Sequence, residues 1–576
     1  MTIQANFPNV QPSLLLDFAN AKQLPPQVTF TRATSAAYYD GSTTAMAEQN
    51  LYLQSQTFDN SPWGGTELTV TGNVTTAPDG TNTADSIVPN TVTTANHQFS
   101  QTVSVLANTT YTVSIYVKAF GYSKFAFRES IATGAYATFD LASTGSVTST
   151  GNVGAISILG ATITSVGSGW FRTTVTFTSS VASAYGLAFF SLNDTYTSGE
   201  PYNQSFTTGD GTSGVYIWGA QTEQRATATA YTATTTQPIT TYVPVLLTAN
   251  GGQPRFDHNP TTSESLGLLI EEQRTNLVFR SVYAGSNWSV FGGTLTQNYT
   301  IAPDGSQTAC QVFSTGFVTT RIDTGALVSG ITYAASIWMK SNTSSNQTIA
   351  FQIGDNTVQS CTVTPQWQRF IGVGTPTASG YNFLDLESID SNISVWGAQL
   401  EQASFATSYI PTTGAAATRA ADFASMTGAN FSSWFNNSQG TFVAIVGAGN
   451  VSTGARVLKI SDTDSNRLID FYFTATPTQS IFSFQNNITS ADFSAGAINT
   501  SKYLTAVSYK TGNISALVNG GSVTTSTIAV VSSIANSIFS IGYDPTSGGG
   551  QLSRPIAKIA YYPLQVTSAQ LQALTS

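Results

Sequence analysis

Hydrophobic and polar residues alternate along much of this chain, in the pattern expected for half-buried β-strands. In residues 110–118, Tyr111, Val113, Ile115 and Val117 are separated by threonine and serine, so that every second side chain can face a core. Turn residues divide many short segments of this kind, and the repeated part of the chain has no sustained helical periodicity. The pattern predicts an all-β protein built from antiparallel sandwiches or jelly rolls.

Several sequence blocks occur twice in the same order, which indicates a duplicated domain. The blocks 50–53, 60–63, 77–81, 110–118, 169–172 and 217–224 are matched by 276–279, 286–288, 302–306, 332–340, 366–369 and 395–402. The last pair shares the phrase Trp-Gly-Ala-Gln-x-Glu, and the third pair shares an Ala-Pro-Asp-Gly turn. The predicted fold class is therefore a tandem duplicated jelly-roll sandwich followed by a different, concanavalin-A-like sandwich.

We predict five segments along the 576 residues. They are an extended N-terminal arm or anchor (1–40), a first jelly-roll sandwich (41–235), a linker (236–265), a second jelly-roll sandwich repeating the first (266–412), and a C-terminal sandwich (421–576). The first segment contains several prolines and too few apolar residues for a core of its own. Near the chain's end, Thr567 or Ser568 is expected to cap a short helix that carries Leu571 and Leu574.

The composition suits a strand-rich surface protein. Charged residues make up only 9% of the chain, against about 25% in typical soluble domains. The net charge of −9 is not accompanied by any basic cluster, so neither nucleic acid nor an anionic membrane is an expected partner. The two cysteines, Cys310 and Cys361, are expected to be buried free thiols, with a single disulfide as the alternative.

Few residues are available for catalysis. His97 and His258 are the only histidines, which excludes a histidine-based metal cluster, and His97 is expected at the surface. The neighbouring Glu271 and Glu272 would point to opposite faces of a strand. No nucleophile-elbow or phosphate-loop motif occurs. The chain is therefore predicted not to be an enzyme, with no catalytic residue and no cofactor.

Two further groups of acidic residues have both a functional and a structural explanation. Glu223 and Glu401 occupy equivalent places in the two copies, which favours a structural ion pair with Arg172 and Arg369. Calcium is the one metal considered, because Asp462 and Asp464 offer hard oxygen ligands on a predicted loop. A solvated turn is the favoured alternative at that loop.

Aromatic residues are the candidates for ligand binding, because sugar rings stack on exposed aromatic faces. Residues that occur in only one copy are preferred, and the candidate glycan-binding set is Phe120, Tyr122, Phe125 and Trp434. The tryptophans shared by both copies are assigned instead to the structural core: Trp63, Trp288, Trp170, Trp367, Trp218 and Trp396.

Several phrases resemble a group of tailed-bacteriophage virion surface proteins described as head fibres, head spikes or tail fibres. They are Ser-Leu-Leu-Leu-Asp-Phe-Ala-Asn-Ala (13–21), Thr-Phe-Thr-Arg-Ala-Thr-Ser-Ala (29–36) and Gly-Leu-Leu-Ile-Glu-Glu-Gln-Arg-Thr-Asn-Leu (267–277). The shared tryptophan blocks look like carbohydrate-binding-module-like jelly rolls. The phrases Ala-Leu-Val-Asn-Gly (516–520) and Tyr-Tyr-Pro-Leu-Gln-Val-Thr-Ser-Ala-Gln-Leu (561–571) resemble a laminin-G or concanavalin-A-like domain.

The resemblance implies a non-catalytic structural protein on the virion surface, a fibre or spike that displays sandwiches for attachment to host-surface glycans. The alternatives are a purely structural capsid decoration, head-fibre or collar protein, and, less favoured, a polysaccharide depolymerase. Other virion proteins are the expected partners of the N-terminal arm. A homo-oligomer, with a trimer favoured, is implied by the resemblance and not by the residues.

Overall fold

The structure is a computed structural model that describes residues 11–129, 134–343, 345–450, 452–461, 468–473, 479–485, 490–497, 502–527 and 537–576. It consists almost entirely of antiparallel β-strands, which confirms the predicted all-β class. Residues 46–243 form one compact unit, and residues 244–576 with the N-terminal residues up to 45 form another. Within the described residues, no helix combines the length and hydrophobicity needed to cross a membrane.

The N-terminal residues form short elements before the first copy begins. These are β1 (Leu14–Leu16), α1 (Phe18–Ala21), β2 (Thr29–Thr31) and the long β3 (Ala36–Asn50).

The first sandwich consists of two six-stranded antiparallel sheets. Its elements are β4 (Gly64–Thr66), β5 (Leu68–Thr75), β6 (Ala84–Pro89), β7 (Gln98–Val105), β8 (Thr109–Phe120), β9 (Lys124–Glu129), β10 (Tyr136–Asp140), β11 (Ser146–Gly151), β12 (Ile156–Gly167), β13 (Trp170–Ser179), β14 (Ser183–Leu192), α2 (Gln204–Thr207) and β15 (Gly214–Glu223). One sheet has the order β11-β10-β9-β14-β7-β4 and the other β12-β13-β8-β15-β6-β5. Their inner faces meet in one core, where Phe127 and Phe189 of the first sheet join Val113 and Ile217 of the second.

The segment predicted as a linker (236–265) instead contains strands. Four strands run from the first copy to the second: β16 (Ile239–Ala249), β17 (Arg255–His258), β18 (Ser265–Ile270) and β19 (Arg274–Asn276). β16 pairs with β3, whereas β17 and β18 pair with each other at the edge of a larger sheet. The linker prediction is wrong because the Gly- and Pro-containing turns of this segment lie between strands and do not extend through it.

The second sandwich repeats the topology of the first. Its strands are β20 (Trp288–Phe291), β21 (Thr294–Thr300), β22 (Ala309–Phe313), β23 (Phe317–Asp323), β24 (Tyr333–Ser341), β25 (Gln347–Ile353), β26 (Asn356–Val363), β27 (Gln368–Gly374), β28 (Phe383–Ile389) and β29 (Asn392–Glu401). The sheet orders β26-β25-β28-β23-β20 and β27-β24-β29-β22-β21 equal those of the first copy without β11 and β12. Only residues 364–367 lie between β26 and β27, so the first copy differs by two added strands, one at the edge of each sheet. The predicted tandem duplication is confirmed.

The C-terminal sandwich contains the remaining elements. They are β30 (Ala417–Arg419), β31 (Phe423–Thr427), α3 (Ala429–Ser432), β32 (Gln439–Val446), β33 (Arg456–Ser461), β34 (Leu468–Phe473), β35 (Gln479–Gln485), β36 (Ser490–Ala497), β37 (Tyr503–Lys510), β38 (Asn513–Val518), β39 (Thr524–Ser526), β40 (Ile538–Ile541), β41 (Arg554–Tyr562) and α4 (Ser568–Ala573). β30 pairs with β19 rather than joining the two large sheets. The predicted terminal helix is confirmed, because Thr567 caps α4 with a capping box.

The N-terminal residues complete this C-terminal sandwich rather than forming an extended arm. Its sheets are β17-β18-β41-β32-β37-β38-β39, with β1 also pairing with β41, and β2-β31-β40-β33-β34-β35-β36. Leu16 and Phe18 are fully buried in its core. The arm prediction for 1–40 is therefore wrong for residues 14–31, and the boundary at 421 leaves out four strands. The N-terminal segment has too few apolar residues to form a core of its own, but those residues can still complete the core of another domain.

The shared tryptophans are built into equivalent places in the two copies. Trp63 and Trp288 lie between the sheets, and their indole N–H groups donate to the carbonyls of Gln54 and Arg280 at 3.0 and 2.7 Å. The other four lie on the outer face of one sheet in each copy, in separate hydrophobic clusters. Trp170, Trp218 and Trp396 are buried there, as expected of core residues, and Trp367 is half-buried. Trp170 and Trp218 pack there with Ala77 and Ala84, and Trp396 packs with Ala302, Ala309 and the half-buried Trp367.

The glycine of the Trp-Gly-Ala-Gln phrase lies at a register shift of the same strand in both copies. Gly397 has a φ of +69°, and Gly219 in the first copy has a φ of +61°. The ladder register shifts at the same point in both copies. A Cβ on Gly397 would lie 2.8 Å from the ring of Trp338. Glycine is therefore required here both by the left-handed backbone and by the close approach of the ring.

Replacement of Gly397 by alanine is expected to lower the free energy of unfolding by roughly 2–4 kcal/mol, because it adds a steric clash to the left-handed strain. Urea unfolding followed by tryptophan fluorescence measures the change. Gly330→Ala is the matched control, since Gly330 has a φ of +75° with no atom within 4 Å of the added Cβ. Equal losses in the two variants would show that the Trp338 contact contributes nothing.

A buried cluster of five charged side chains joins segments that are far apart in the sequence. Arg255 lies 2.5 Å from Asp422 and 2.7 Å from Glu271. Arg32 lies 3.0 Å from Asp422, and Arg419 lies 2.9 Å from Glu271. None of the five side chains is more than 5% exposed. Burial alone would raise the pKa of Glu271, but Arg419 and Arg255 outweigh burial and lower it to about 2.

Replacement of Glu271 by glutamine is expected to lower the free energy of unfolding by about 3–5 kcal/mol, because it leaves Arg255 and Arg419 without one of their buried counter-charges. Chemical denaturation at neutral pH provides the measurement. Glu264→Gln removes the same charge from an exposed pair with Lys502, and is expected to change stability by less than about 1 kcal/mol. A loss in E271Q no larger than in E264Q would contradict a structural role for the cluster.

The effect of E271Q is also expected to depend on pH. The folded-state pKa of Glu271 is lowered, so its contribution is complete above its unfolded pKa and is lost as the pH falls through the folded value. The stability difference between wild type and E271Q should be constant above about pH 5 and shrink toward about pH 2. Denaturation series at several pH values test this, and a difference that grows on acidification would refute the assigned direction.

Candidate functional site

One face of the second sandwich is polar, partly aromatic and open to solvent. It is the outer face of the sheet β26-β25-β28-β23-β20, and we call it the open face. On β23, Val318 and Ile322 are buried in the sandwich core. Because side chains alternate along a strand, Phe317, Thr319 and Arg321 point outward. The same alternation turns Asp385, Glu387 and Ile389 of β28 to this face.

The strand register sets these outward side chains in rows across the sheet. Thr319 lies opposite Glu387, which lies opposite Ala350 of β25. In the next row Arg321 lies opposite Asp385, and Phe317 lies opposite Ile389 at the other end. The small side chains of Thr319 and Ala350 therefore flank Glu387 between taller neighbours.

A cavity of about 500 Å³ opens at the Phe317 end of this face. Ala350, Thr348 and Glu387 line it together with Phe317 and Ile389. Phe317 is 60% exposed and Ile389 71% exposed, and Phe291 at the neighbouring edge is 55% exposed. The cavity is of the size that binds small molecules in other proteins, and large exposed apolar side chains beside polar ones mark interaction sites.

Arg321 is held rigidly beside the cavity. Its guanidinium donates to both carboxylate oxygens of Asp385, at 3.0 and 2.8 Å. It also lies over the ring of Phe383, 3.7 Å from the ring centroid. The hydrogen bond to Asp385 is the main cause that raises the pKa of Arg321, and the charges of Asp323 and Glu387 act in the same direction. Arg321 is therefore held in one position on the open face, and the carboxylate of Asp385 compensates its charge.

The first sandwich shows the same face in a closed form. Residues 193–213 connect β14 to β15 and cover the outer face of β9 and β14, where Tyr196, Tyr202 and Phe206 pack on Phe190. Tyr202 lies under the guanidinium of Arg128, 4.1 Å from it, and Glu200 lies 3.0 Å from the same group. In the second sandwich only Asp390 and Ser391 connect β28 to β29. The open face is thus uncovered because its connection is short.

The predicted glycan-binding residues lie elsewhere, and two of them are buried. Phe125 is 0% exposed and belongs to the core of the first sandwich. Trp434 is 8% exposed and packs edge-on against Phe539. Neither can present a ring to a ligand, so the prediction is wrong for both. Occurrence in only one copy does not distinguish an exposed ring from one that completes a core, as these two do.

Phe120 and Tyr122 lie together at one end of the first sandwich, away from its buried core. Phe120 stacks on Tyr216 with ring centroids 4.6 Å apart, and the hydroxyl of Tyr122 accepts a hydrogen bond from the backbone N–H of Asp210. Both rings already pack with protein groups, and their role in glycan binding stays a prediction. Asp462 and Asp464, the predicted calcium ligands, lie outside the described residues. In the parts of the chain that are described, no three His, Cys, Asp or Glu side chains are grouped as metal ligands.

The remaining chemical candidates occupy structural positions. His97 is buried rather than at the surface, and its Nε2 lies 2.9 Å from the side-chain oxygen of Asn90. Among the described residues, Glu223 and Glu401 form no direct ion pair with Arg172 or Arg369, although the charge of Glu401 acts on the buried Arg369. Each accepts the backbone N–H of a threonine six residues later, at 3.0 and 2.8 Å, and so closes the loop that follows its strand.

Both cysteines are buried free thiols, as predicted. Burial raises the pKa of Cys310 and of Cys361 to about 11, so neither thiol is reactive at neutral pH.

The sequence predicts binding residues on loops, whereas the open face is the outer surface of a sheet. The sequence feature that indicates this face is a large hydrophobic residue at a strand position that should point to solvent. On β23 the core positions are Val318, Thr320 and Ile322, so Phe317 belongs to the polar side. On β28 the same reasoning puts Ile389 on the polar side. A large apolar residue on the solvent side of an otherwise regular strand predicts a contact surface.

No protein family and no curated protein sequence matches the chain. Among solved structures it is similar to the Ruminococcus gnavus IT-sialidase CBM40, at 15% identity over 24% of this chain and 84% of that one, with a TM-score of 0.23. Domain 4 of the GH43 arabinanase AbnA from Geobacillus stearothermophilus matches at 15% identity over 30% and 82%, with a TM-score of 0.23. The CBM22 tandem of Paenibacillus barcinonensis Xyn10C matches at 11% identity over 63% and 99%, with a TM-score of 0.19. Similarities this weak carry no argument about function.

Proposed function

We propose that this chain is a non-catalytic binding protein whose second sandwich holds a carbohydrate chain on the open face. The observation that carries the proposal is the cavity beside the exposed ring of Phe317, floored by Ala350 and Thr348. An exposed ring offers an apolar platform to the C–H faces of a sugar. The neighbouring carboxylate and hydroxyl groups accept and donate hydrogen bonds, which sugar hydroxyls require.

The comparison between the two sandwiches supports the same function. In the first sandwich the chain's own tyrosines lie on the corresponding face, and Arg128 stacks on Tyr202. That face therefore accommodates planar, hydroxyl-bearing groups when they are available. In the second sandwich the equivalent surface is left to solvent, which suits an external ligand of related shape and polarity.

Replacement of Phe317 by alanine in the full chain is expected to weaken carbohydrate binding about tenfold, because the ring's apolar platform is lost. A glycan array of uncharged, amine-bearing and acidic oligosaccharides identifies the ligand class, and isothermal titration calorimetry with the best binder gives the affinity. Ile371→Ala is the matched control, since Ile371 is a comparably exposed aliphatic residue on the other sheet of the same sandwich.

Two outcomes would refute this function. One is the absence of binding to every oligosaccharide on the array by a folded wild-type chain. The other is an affinity that Phe317→Ala and Ile371→Ala leave equally unchanged. Binding that is retained in F317A but lost in a Phe120→Ala variant would instead support the site predicted on the first sandwich.

We further propose that the sandwiches are displayed on a bacteriophage particle, as a fibre or spike that attaches to host-surface glycans. This setting rests on the sequence resemblance of residues 13–36 and 267–277. A purely structural capsid protein is the alternative. Antibody labelling of intact particles, combined with binding of the isolated chain to host cells, separates the two, because a decoration protein would label particles without binding cells.

A further inference from the structure

We infer that the open face selects carbohydrates without acidic groups, that is, uncharged or amine-bearing glycans. This inference rests on the proposed carbohydrate-binding function and specifies its ligand class. It follows from the charges placed around the cavity and from how each of them is compensated.

The cation beside the cavity, Arg321, is already paired with a carboxylate of the protein. Two N–H groups of Arg321 donate hydrogen bonds to Asp385, and its guanidinium plane stacks on the ring of Phe383. A carboxylate or sulfate on a sugar could reach the remaining N–H groups of Arg321, but it could take the place of the buried Asp385 only by breaking both of these hydrogen bonds. The bidentate geometry makes that exchange unfavourable.

The charged side chains that line the cavity itself are negative. Glu387 and Asp390 both line it, and no described lining residue is a lysine or arginine. The charge of Glu387 acts on Arg321, but Arg321 forms its ion pair with Asp385. Glu387 is half-buried in the row between Thr319 and Ala350, where water screens its charge less than at an exposed position. An acidic sugar in this cavity would meet like charges at close range.

The same carboxylates favour ligands rich in donors. An ionised carboxylate only accepts hydrogen bonds, and two neighbouring sugar hydroxyls can donate to its two oxygens. An amino group adds charge to that hydrogen bond and strengthens it. The chemistry of the cavity therefore fits hydroxyl-rich sugars, and fits amino sugars better at low ionic strength.

The experiment uses the full chain on an array printed with three series of hexasaccharides. The uncharged series contains cellohexaose, xylohexaose and mannohexaose, the amine-bearing series a chitosan hexamer, and the acidic series an oligogalacturonate hexamer. Binding is expected to members of the first two series, with the acidic hexamer at least about tenfold weaker. Raising the salt concentration should weaken binding of the amine-bearing hexamer only.

Glu387→Gln tests the cause. This variant is expected to strengthen binding of the acidic hexamer about tenfold relative to the uncharged series. Asp390→Asn should act in the same direction, and asparagine tolerates the left-handed backbone at that position (φ +52°). Glu264→Gln removes the same charge from the C-terminal sandwich, and should leave the order of the three series unchanged.

The results separate the two levels of the proposal. If no series binds, the carbohydrate-binding function itself fails. If the acidic hexamer binds as tightly as the uncharged series and Phe317→Ala weakens both, the function stands and the selectivity is wrong. If E387Q and E264Q alter the three series equally, Glu387 is not the selective group and the inference is also overturned.

Discussion

The buried cluster of Arg32, Arg255, Arg419, Glu271 and Asp422 is the constraint on which the larger compact unit depends. Its members come from the N-terminal segment, the segment between the copies, the start of the second copy and the strands that precede the C-terminal sheets. Removing two carboxylates from water is costly, and only the full set of arginines compensates that cost. The four segments must therefore be in place together, which fixes how the second and C-terminal sandwiches are connected within this unit.

The duplication supplies an internal comparison. Both copies keep the same strand order, the same outward tryptophans and the same left-handed glycine, so these features are requirements of the fold. The differences lie in two added edge strands and in the connection that covers one face of the first copy. The copies have thus kept one framework while one face became filled by the chain and its counterpart stayed exposed. A site that differs between copies of one framework is a better functional candidate than any feature they share.

The sequence predicted local and repeated features well. Alternation in residues 110–118 identified β8, the Pro-Asp-Gly turns marked the same bend in both copies, and Thr567 began the terminal helix. Long-range pairing was beyond such reasoning, because nothing local to Leu14–Leu16 indicates a partner near residue 560. The site was only partly accessible. The preference for aromatics present in only one copy could not separate exposed rings from buried ones, because the burial of Phe125 and Trp434 depends on contacts that no local pattern encodes. Phe317 could have been predicted as a surface contact residue from its position in the alternating pattern of its strand.

The pairing of β1 with β41 has a consequence for biosynthesis. The strand that begins at Leu14 is synthesised long before its partner, Arg554–Tyr562, and both sandwiches of the duplicated pair lie between them in the sequence. Domains usually fold in order as they are translated. The C-terminal sandwich cannot follow that order, since β1 must remain unpaired until Arg554–Tyr562 has been synthesised. Nascent chains that stall before residue 554 would therefore expose an apolar N-terminal segment, and cellular quality control could recognise them by it.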